Sequence, residues 1–174
     1  MRASDEVVAY HEAGHAVACV LLGRNLTKVV LGAGRRRGSF EVEEWPPTTR
    51  EAIEAEIVSL YSGPAAQRIF TGRPVRIAVT ATLTVTTRGS QRTVAVHEND
   101  GSQIFRLAVR ATGFELQAIE ELCQQLDAQA RELVAVAWPA VELVAHVLLA
   151  RRQLSGDDVR GFVSQAAPDE REET

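Results

Sequence analysis

From Val7 to Leu22 the chain is almost continuously apolar, yet His11, Glu12 and His15 interrupt it. That combination constrains the fold more than any other feature of the sequence. A run this apolar has to be buried, and apolar residues on every side favour a helix packed on several faces. Polar groups buried with it cost free energy unless a partner satisfies them. Residues four apart lie on one face of a helix, so both imidazoles project to the same side and can reach one ion. The order is H-E-x-x-H, the spacing in which two histidines hold zinc and the glutamate serves as general base. A surface helix carrying these residues by coincidence would not have Val8, Ala13, Ala16, Val17, Val20 and Leu21 around them.

A chain of 174 residues with 45% hydrophobic content can bury one core, so a single domain over residues 1–167 is expected. Residues 168–174 read as a disordered acidic tail with no apolar anchor. A net charge of -4 argues against a nucleic-acid partner held by phosphate neutralisation. The basic run Arg35-Arg36-Arg37 is short and reads as a solvated turn. Cys19 and Cys123 sit in apolar helical patterns, with no spacing that suggests a disulfide or a thiolate zinc site, so a reducing cytoplasm is the simplest compartment. The N-terminal apolar stretch carries charges that a signal peptide would not. Leu133 to Ala150 is long and apolar, but Pro139, Glu142 and His146 interrupt it, so it reads as a buried helical pair rather than a membrane span.

The remaining pattern predicts a mainly α protein with a small β-sheet, an α+β fold. Ser4 is placed to cap the first helix, with Asp5 and Glu6 in its first turn and Gly23 after its end near Leu22. Strands are expected within Asn25–Gly34 and Gly38–Glu43, followed by a break at Trp45-Pro46-Pro47. Thr49 can cap a second helix with an apolar stripe of Ile53, Ile57, Leu60 and Tyr61, kinked or restarted at Gly63-Pro64 and closed by Gly72. Val75 to Val96, rich in alternating Val and Thr, reads as a β-hairpin or flap around Arg88-Gly89-Ser90-Gln91. Asp100 or Ser102 opens a third helix and Gly113 ends it. A long helix follows from about Glu115 to Ala137, Pro139 begins another to Arg151, and Ser155 caps a last one through Val163.

Ala9-Tyr10-His11-Glu12-Ala13-Gly14-His15-Ala16-Val17 resembles the zinc helix of the FtsH-type AAA metalloproteases. Their G-G-x-x-A-E-x-x-x-x-G segment is matched by Ser62-Gly63-Pro64-Ala65-Ala66-Gln67-Arg68-Ile69-Phe70-Thr71-Gly72, with Gln67 in place of the acid. Val144 to Leu149, followed by Leu154-Ser155-Gly156-Asp157-Asp158-Val159, is similar to the family's C-terminal pattern. The resemblance runs in family order along nearly the whole chain. It implies a zinc peptidase domain, mainly helical with a small sheet, in which His11 and His15 hold Zn2+ and Glu12 is the catalytic base. A catalytic zinc keeps three protein ligands and water. For the third, the resemblance implies an aspartate in an N-D pair at a helix start, which Asn99-Asp100 matches. Asp100 is followed at helical spacing by Ile104, Leu107, Ala108 and Ala111. Glu98 and His97 stand close enough to substitute, and an alignment on small residues would put Gln103 or Ile104 at that position.

The remaining polar and aromatic residues read as structural. Among these, His146 is expected on the apolar face of a core helix, Tyr10 in packing beside the zinc helix, Trp45 and Trp138 in core or interface, and Glu142 at the surface or behind the ligands. Two functions from different classes follow. One is a zinc endopeptidase acting on peptides or unfolded protein segments through a metal-activated water. The other is a peptidase-fold interaction module that keeps the metal without efficient turnover. No G-x-x-x-x-G-K-[ST] phosphate loop occurs, so the expectation is a stand-alone proteolytic part. A separate ATPase or unfoldase chain would then prepare substrates, unless they arrive unfolded. The resembling family works as a ring of six, which leaves a homo-oligomer open.

Overall fold

The structure, a computed structural model, describes residues 3–32, 38–43, 47–75, 77, 86–87, 90–91 and 99–167. The fold is mainly helical with a small antiparallel sheet, as the patterning implies. Helix α1 (Ala3–Leu21) is followed by strands β1 (Leu26–Val30) and β2 (Ser39–Val42) and by helix α2 (Arg50–Thr71). A short pair, β3 (Thr86–Thr87) and β4 (Ser90–Gln91), precedes α3 (Asp100–Thr112), α4 (Leu116–Val136) and α5 (Trp138–Arg151). Strand β5 (Gln153–Ser155) and α6 (Gly156–Ala166) complete the order.

Helix α1 is central. Ala9, Ala13, Ala16, Val17, Ala18 and Cys19 are fully buried, which is what an all-round apolar helix requires. It packs on α2, α5 and α6. Small residues let it approach α2 closely: a Cβ on Gly14 would lie 2.5 Å from the Ser62 carbonyl. One core cluster joins α1 to β1, α5 and α6, while a second joins α2, α3 and α4 through Ile57, Leu60, Ile104, Leu107 and Leu126. The sheet has the order β2-β1-β5, with Val29 opposite both Phe40 and Leu154. Lys28 and Glu41 are cross-strand neighbours and form an ion pair of 3.2 Å.

Several expectations are corrected. The first helix is described from Ala3, which puts Ser4 inside it rather than before it. Helix α2 runs unbroken through Pro64. A proline interior to a helix forfeits one backbone hydrogen bond, but every residue from Glu56 to Ala66 is buried, and packing on several sides overrides local propensity. Strand β5 is not among the expected strands: its three residues alternate exposed, buried and exposed, too short a run to be read as a strand from sequence. Its place is set by pairing with β1 immediately before Ser155 caps α6. His146 is exposed on α5 rather than on its apolar face, although its Nε2 lies 3.4 Å from the Tyr10 hydroxyl.

Other expectations agree with the structure. Thr49 caps α2, and Gly72 ends it in the left-handed region at φ 64°. Tyr10 is buried and stacks on Phe70 with ring centroids 4.0 Å apart. Cys19 and Cys123 are free thiols. The apolar stretch after Leu133 is a helical pair, α4 and α5 being bent by 77° at their junction. Among the described residues no single helix is long and apolar enough to cross a membrane. Of the Val/Thr segment, residues 75, 77, 86–87 and 90–91 are described, with β3 paired to β4; the rest, with Arg35–Arg37, Trp45, His97, Glu98 and the acidic tail, lies outside the described residues.

Candidate metal centre

His11 and His15 lie one turn apart on α1, where that helix meets α2. Asp100 opens α3, whose start is fixed by a capping box: the Asn99 side chain accepts from the Ser102 amide and the Ser102 hydroxyl from the Asn99 amide. Such a reciprocal cap sets the first turn rigidly. The buried face of Ile104, Leu107 and Ala108 then holds α3 against α2, while Ala111 is only half-buried. Ile104 belongs to this core, not to the polar cluster.

Three atoms converge. Asp100 Oδ2 lies 3.2 Å from His11 Nε2 and 3.6 Å from His15 Nε2, and the two Nε2 atoms are 3.0 Å apart. His11, His15 and Asp100 form the group whose ligand atoms all lie within 4.8 Å of one another. The outer nitrogens settle the chemistry. His15 Nδ1–H donates to the Ser59 carbonyl at 2.7 Å, and His11 Nδ1–H donates to the Gln67 amide oxygen at 3.2 Å. A backbone carbonyl can only accept, so each neutral ring carries its proton outward and turns the lone pair of Nε2 inward. Two imidazole lone pairs and a carboxylate oxygen facing one point repel unless a cation lies among them. The donor set of two nitrogens and one oxygen suits zinc, so these residues fit the metal that the sequence implies.

Without a metal, a proton takes that role. Burial alone would lower the His15 pKa, but the Asp100 carboxylate, by its field and its hydrogen bond, lifts it to about 9. For Asp100 burial acts upward, and the two imidazoles outweigh it, holding the carboxyl far below the usual range. Glu12, next to His11, is 6% exposed. Burial raises its pKa, against the lowering fields of His15 and His11. The cluster is closed at His15, whose side chain is 1% exposed, and open at His11 (21%) and Asp100 (27%). A ligand from solvent therefore approaches from the His11–Asp100 side.

The chain resembles part of a zinc metalloprotease. It is 27% identical, over an alignment of 195 residues, to the ATP-dependent zinc metalloprotease FTSH 6, chloroplastic, of Oryza sativa subsp. japonica. That alignment covers 93% of this chain but 28% of the rice protein, so the likeness is to a region of it. No family model matches.

Five residues make contacts around the cluster that the sequence pattern does not reveal. Phe40 stacks on His15, with ring centroids 4.7 Å apart and planes at 23°. A Cβ on Gly63 would lie 2.3 Å from His15 Nε2, and one on Gly38 would lie 2.5 Å from the Glu12 carboxylate. Ser59 acts through its carbonyl, for which no side-chain signal exists. Gln67 was noted only as a departure from a family motif; its amide receives the His11 proton.

Proposed function

We propose that this chain is a zinc-dependent metallopeptidase domain that hydrolyses peptide bonds in unfolded or flexible protein segments. The observation that carries the reading is the convergence of His11 Nε2, His15 Nε2 and Asp100 Oδ2 beside a buried glutamate in H-E-x-x-H spacing. His11, His15 and Asp100 would hold the ion. When bound, zinc supplies Lewis-acid polarisation and makes water acidic enough to react near neutral pH.

The chain's own groups do the rest. Ser59 and Gln67 keep both rings in the tautomer that offers Nε2 inward. The elevated proton affinity of the Glu12 carboxylate suits a general base, which accepts the proton of the attacking water and can return it to the leaving amine. The rice relative is named as ATP-dependent. Since no phosphate loop occurs in these 174 residues, we assign any unfolding step to sequence outside them.

Glu12→Gln tests the reading. The amide keeps the size of the side chain but cannot take a proton, so cleavage of unfolded casein should fall by about 100- to 10,000-fold. Bound zinc should stay stoichiometric. Loss of zinc in this variant would make Glu12 a ligand instead of a base. Stoichiometric zinc in a parent protein that cleaves nothing would favour the metal-retaining interaction module.

A further inference from the structure

Residues 38 and 40 face the site together, as alternate positions along an extended segment do. Phe40 lies on the ring of His15. Gly38, at the entry to β2, lies on Glu12: an added Cβ would meet Glu12 Cγ and Oε1 at 2.5 Å and Cδ at 2.6 Å. Backbone conformation does not demand glycine here. The positive-φ glycines among the described residues are Gly23, Gly72 and Gly113, and Gly38 is not one of them. Space is what it supplies.

The other three close glycines differ in what they would strike. Gly14 faces the Ser62 carbonyl, Gly63 the His15 ring and Gly156 the Leu26 carbonyl of β1. Two of these neighbours are backbone, of α2 and of β1, and the third is pinned by the Ser59 carbonyl, so none can yield without moving a helix or strand. The Glu12 carboxylate ends a side chain with three rotatable bonds. It is the group that would turn away.

We propose that Gly38 is a positioning residue for Glu12: its bare backbone is the surface on which the carboxylate rests, and any side chain at 38 re-aims it. A methyl group at 38 would leave His11, His15 and Asp100 untouched, so it should separate metal binding from turnover. The expected loss of hydrolysis rests on Glu12 being the base. The steric coupling between positions 38 and 12 does not.

A double-mutant cycle on unfolding tests the coupling. Parent, Gly38→Ala, Glu12→Ala and the double variant are unfolded in urea, each with zinc stripped and with zinc bound. Gly38→Ala should lower the folding equilibrium constant about tenfold in the parent, and by less than about threefold once Glu12 is truncated. Zinc affinity of Gly38→Ala should stay within about threefold of the parent, while kcat falls about 100-fold, as a 1 Å misplacement can cause, and KM holds. If Gly38→Ala fails to fold, recovery of folding in the double variant supports the proposal. Equal losses in both backgrounds, no loss in either, or a double variant that fails to fold would each overturn it. A parent without peptidase activity would refute the functional reading and leave the cycle readable.

Discussion

Arg24, just after α1, and Glu56, on α2, are buried together, as are parts of the cluster that His11 and His15 on α1 form with Asp100 on α3, and the two groups solve burial differently. The Arg24 guanidinium donates from Nε to Glu56 Oε2 at 3.2 Å, with side chains 6% and 1% exposed. Burial raises the Glu56 carboxyl and the facing guanidinium opposes that rise. There donor meets acceptor. At the other group three acceptors face one another, and their remaining protons are committed outward to Ser59 and Gln67. That cluster is complete only with a cation. A buried donor facing an acceptor needs no ion, whereas three facing acceptors take up a proton or a metal.

The difference can be broken most forcefully at the ion pair. Arg24→Ala strands a carboxylate in the core and should destabilise the fold by about 3–5 kcal/mol in urea unfolding. Replacing both, as Arg24→Met with Glu56→Leu, should restore most of that, because an apolar pair of similar volume can substitute. Zinc bound per folded molecule should not change. A fall in zinc stoichiometry would mean that the pair belongs to the site.

pH sharpens the contrast next. In the metal-free chain His15 rises from its ordinary 6.5 to about 9. A raised folded value means that the stabilisation is fully present below 6.5 and is lost as pH climbs through about 9. That net shift, in which Asp100 first and then Glu12 and the Ser59 carbonyl outweigh burial, corresponds to a stabilisation on the order of 3 kcal/mol. Zinc competes for the same nitrogen, so affinity should climb nearly tenfold per pH unit across that window, with a proton released on binding. Calorimetry in buffers of different ionisation enthalpy reads that proton. Affinity independent of pH would remove His15 from the ligand set.

The smallest expected effect is at Gln67. Its amide oxygen holds His11 Nδ1, and Gln67→Ala should weaken zinc by about 10- to 100-fold, the usual cost of losing an outer hydrogen bond to a ligand. Gln67→Glu keeps the acceptor and adds a charge, so it should bind zinc at least as well as the parent.

Sequence and structure part company for physical reasons. The α1 pattern was legible because helical periodicity and an apolar surround put His11 and His15 on one face without tertiary information. Asp100 is legible only through the resemblance, which implies an aspartate in an N-D pair at a helix start; that Asn99 caps this helix is seen in the structure. That Asp100 comes within 3.2 Å of His11 depends on α3 packing against α2, which periodicity alone does not report. The course of α2 through Pro64 was misread because local propensity favours a break while burial on several sides forbids one. Strand β5 escaped because three residues are too few for alternation. In the sequence Phe40 is one more apolar residue within the Gly38–Glu43 strand segment, and Gly38 its edge. Their meaning lies in what they touch: the His15 ring and the Glu12 carboxylate.

The central claim is that the three facing acceptors are a metal site in which Asp100 supplies the oxygen. Zinc titration into the metal-stripped parent and into Asp100→Ala, followed by calorimetry, tests it most directly. The account predicts one zinc per parent chain, and in Asp100→Ala an affinity loss well beyond the 10- to 100-fold of an outer partner. Glu98→Ala and His97→Ala should bind like the parent. Parent-like binding by Asp100→Ala, with the loss appearing in Glu98→Ala instead, would contradict it.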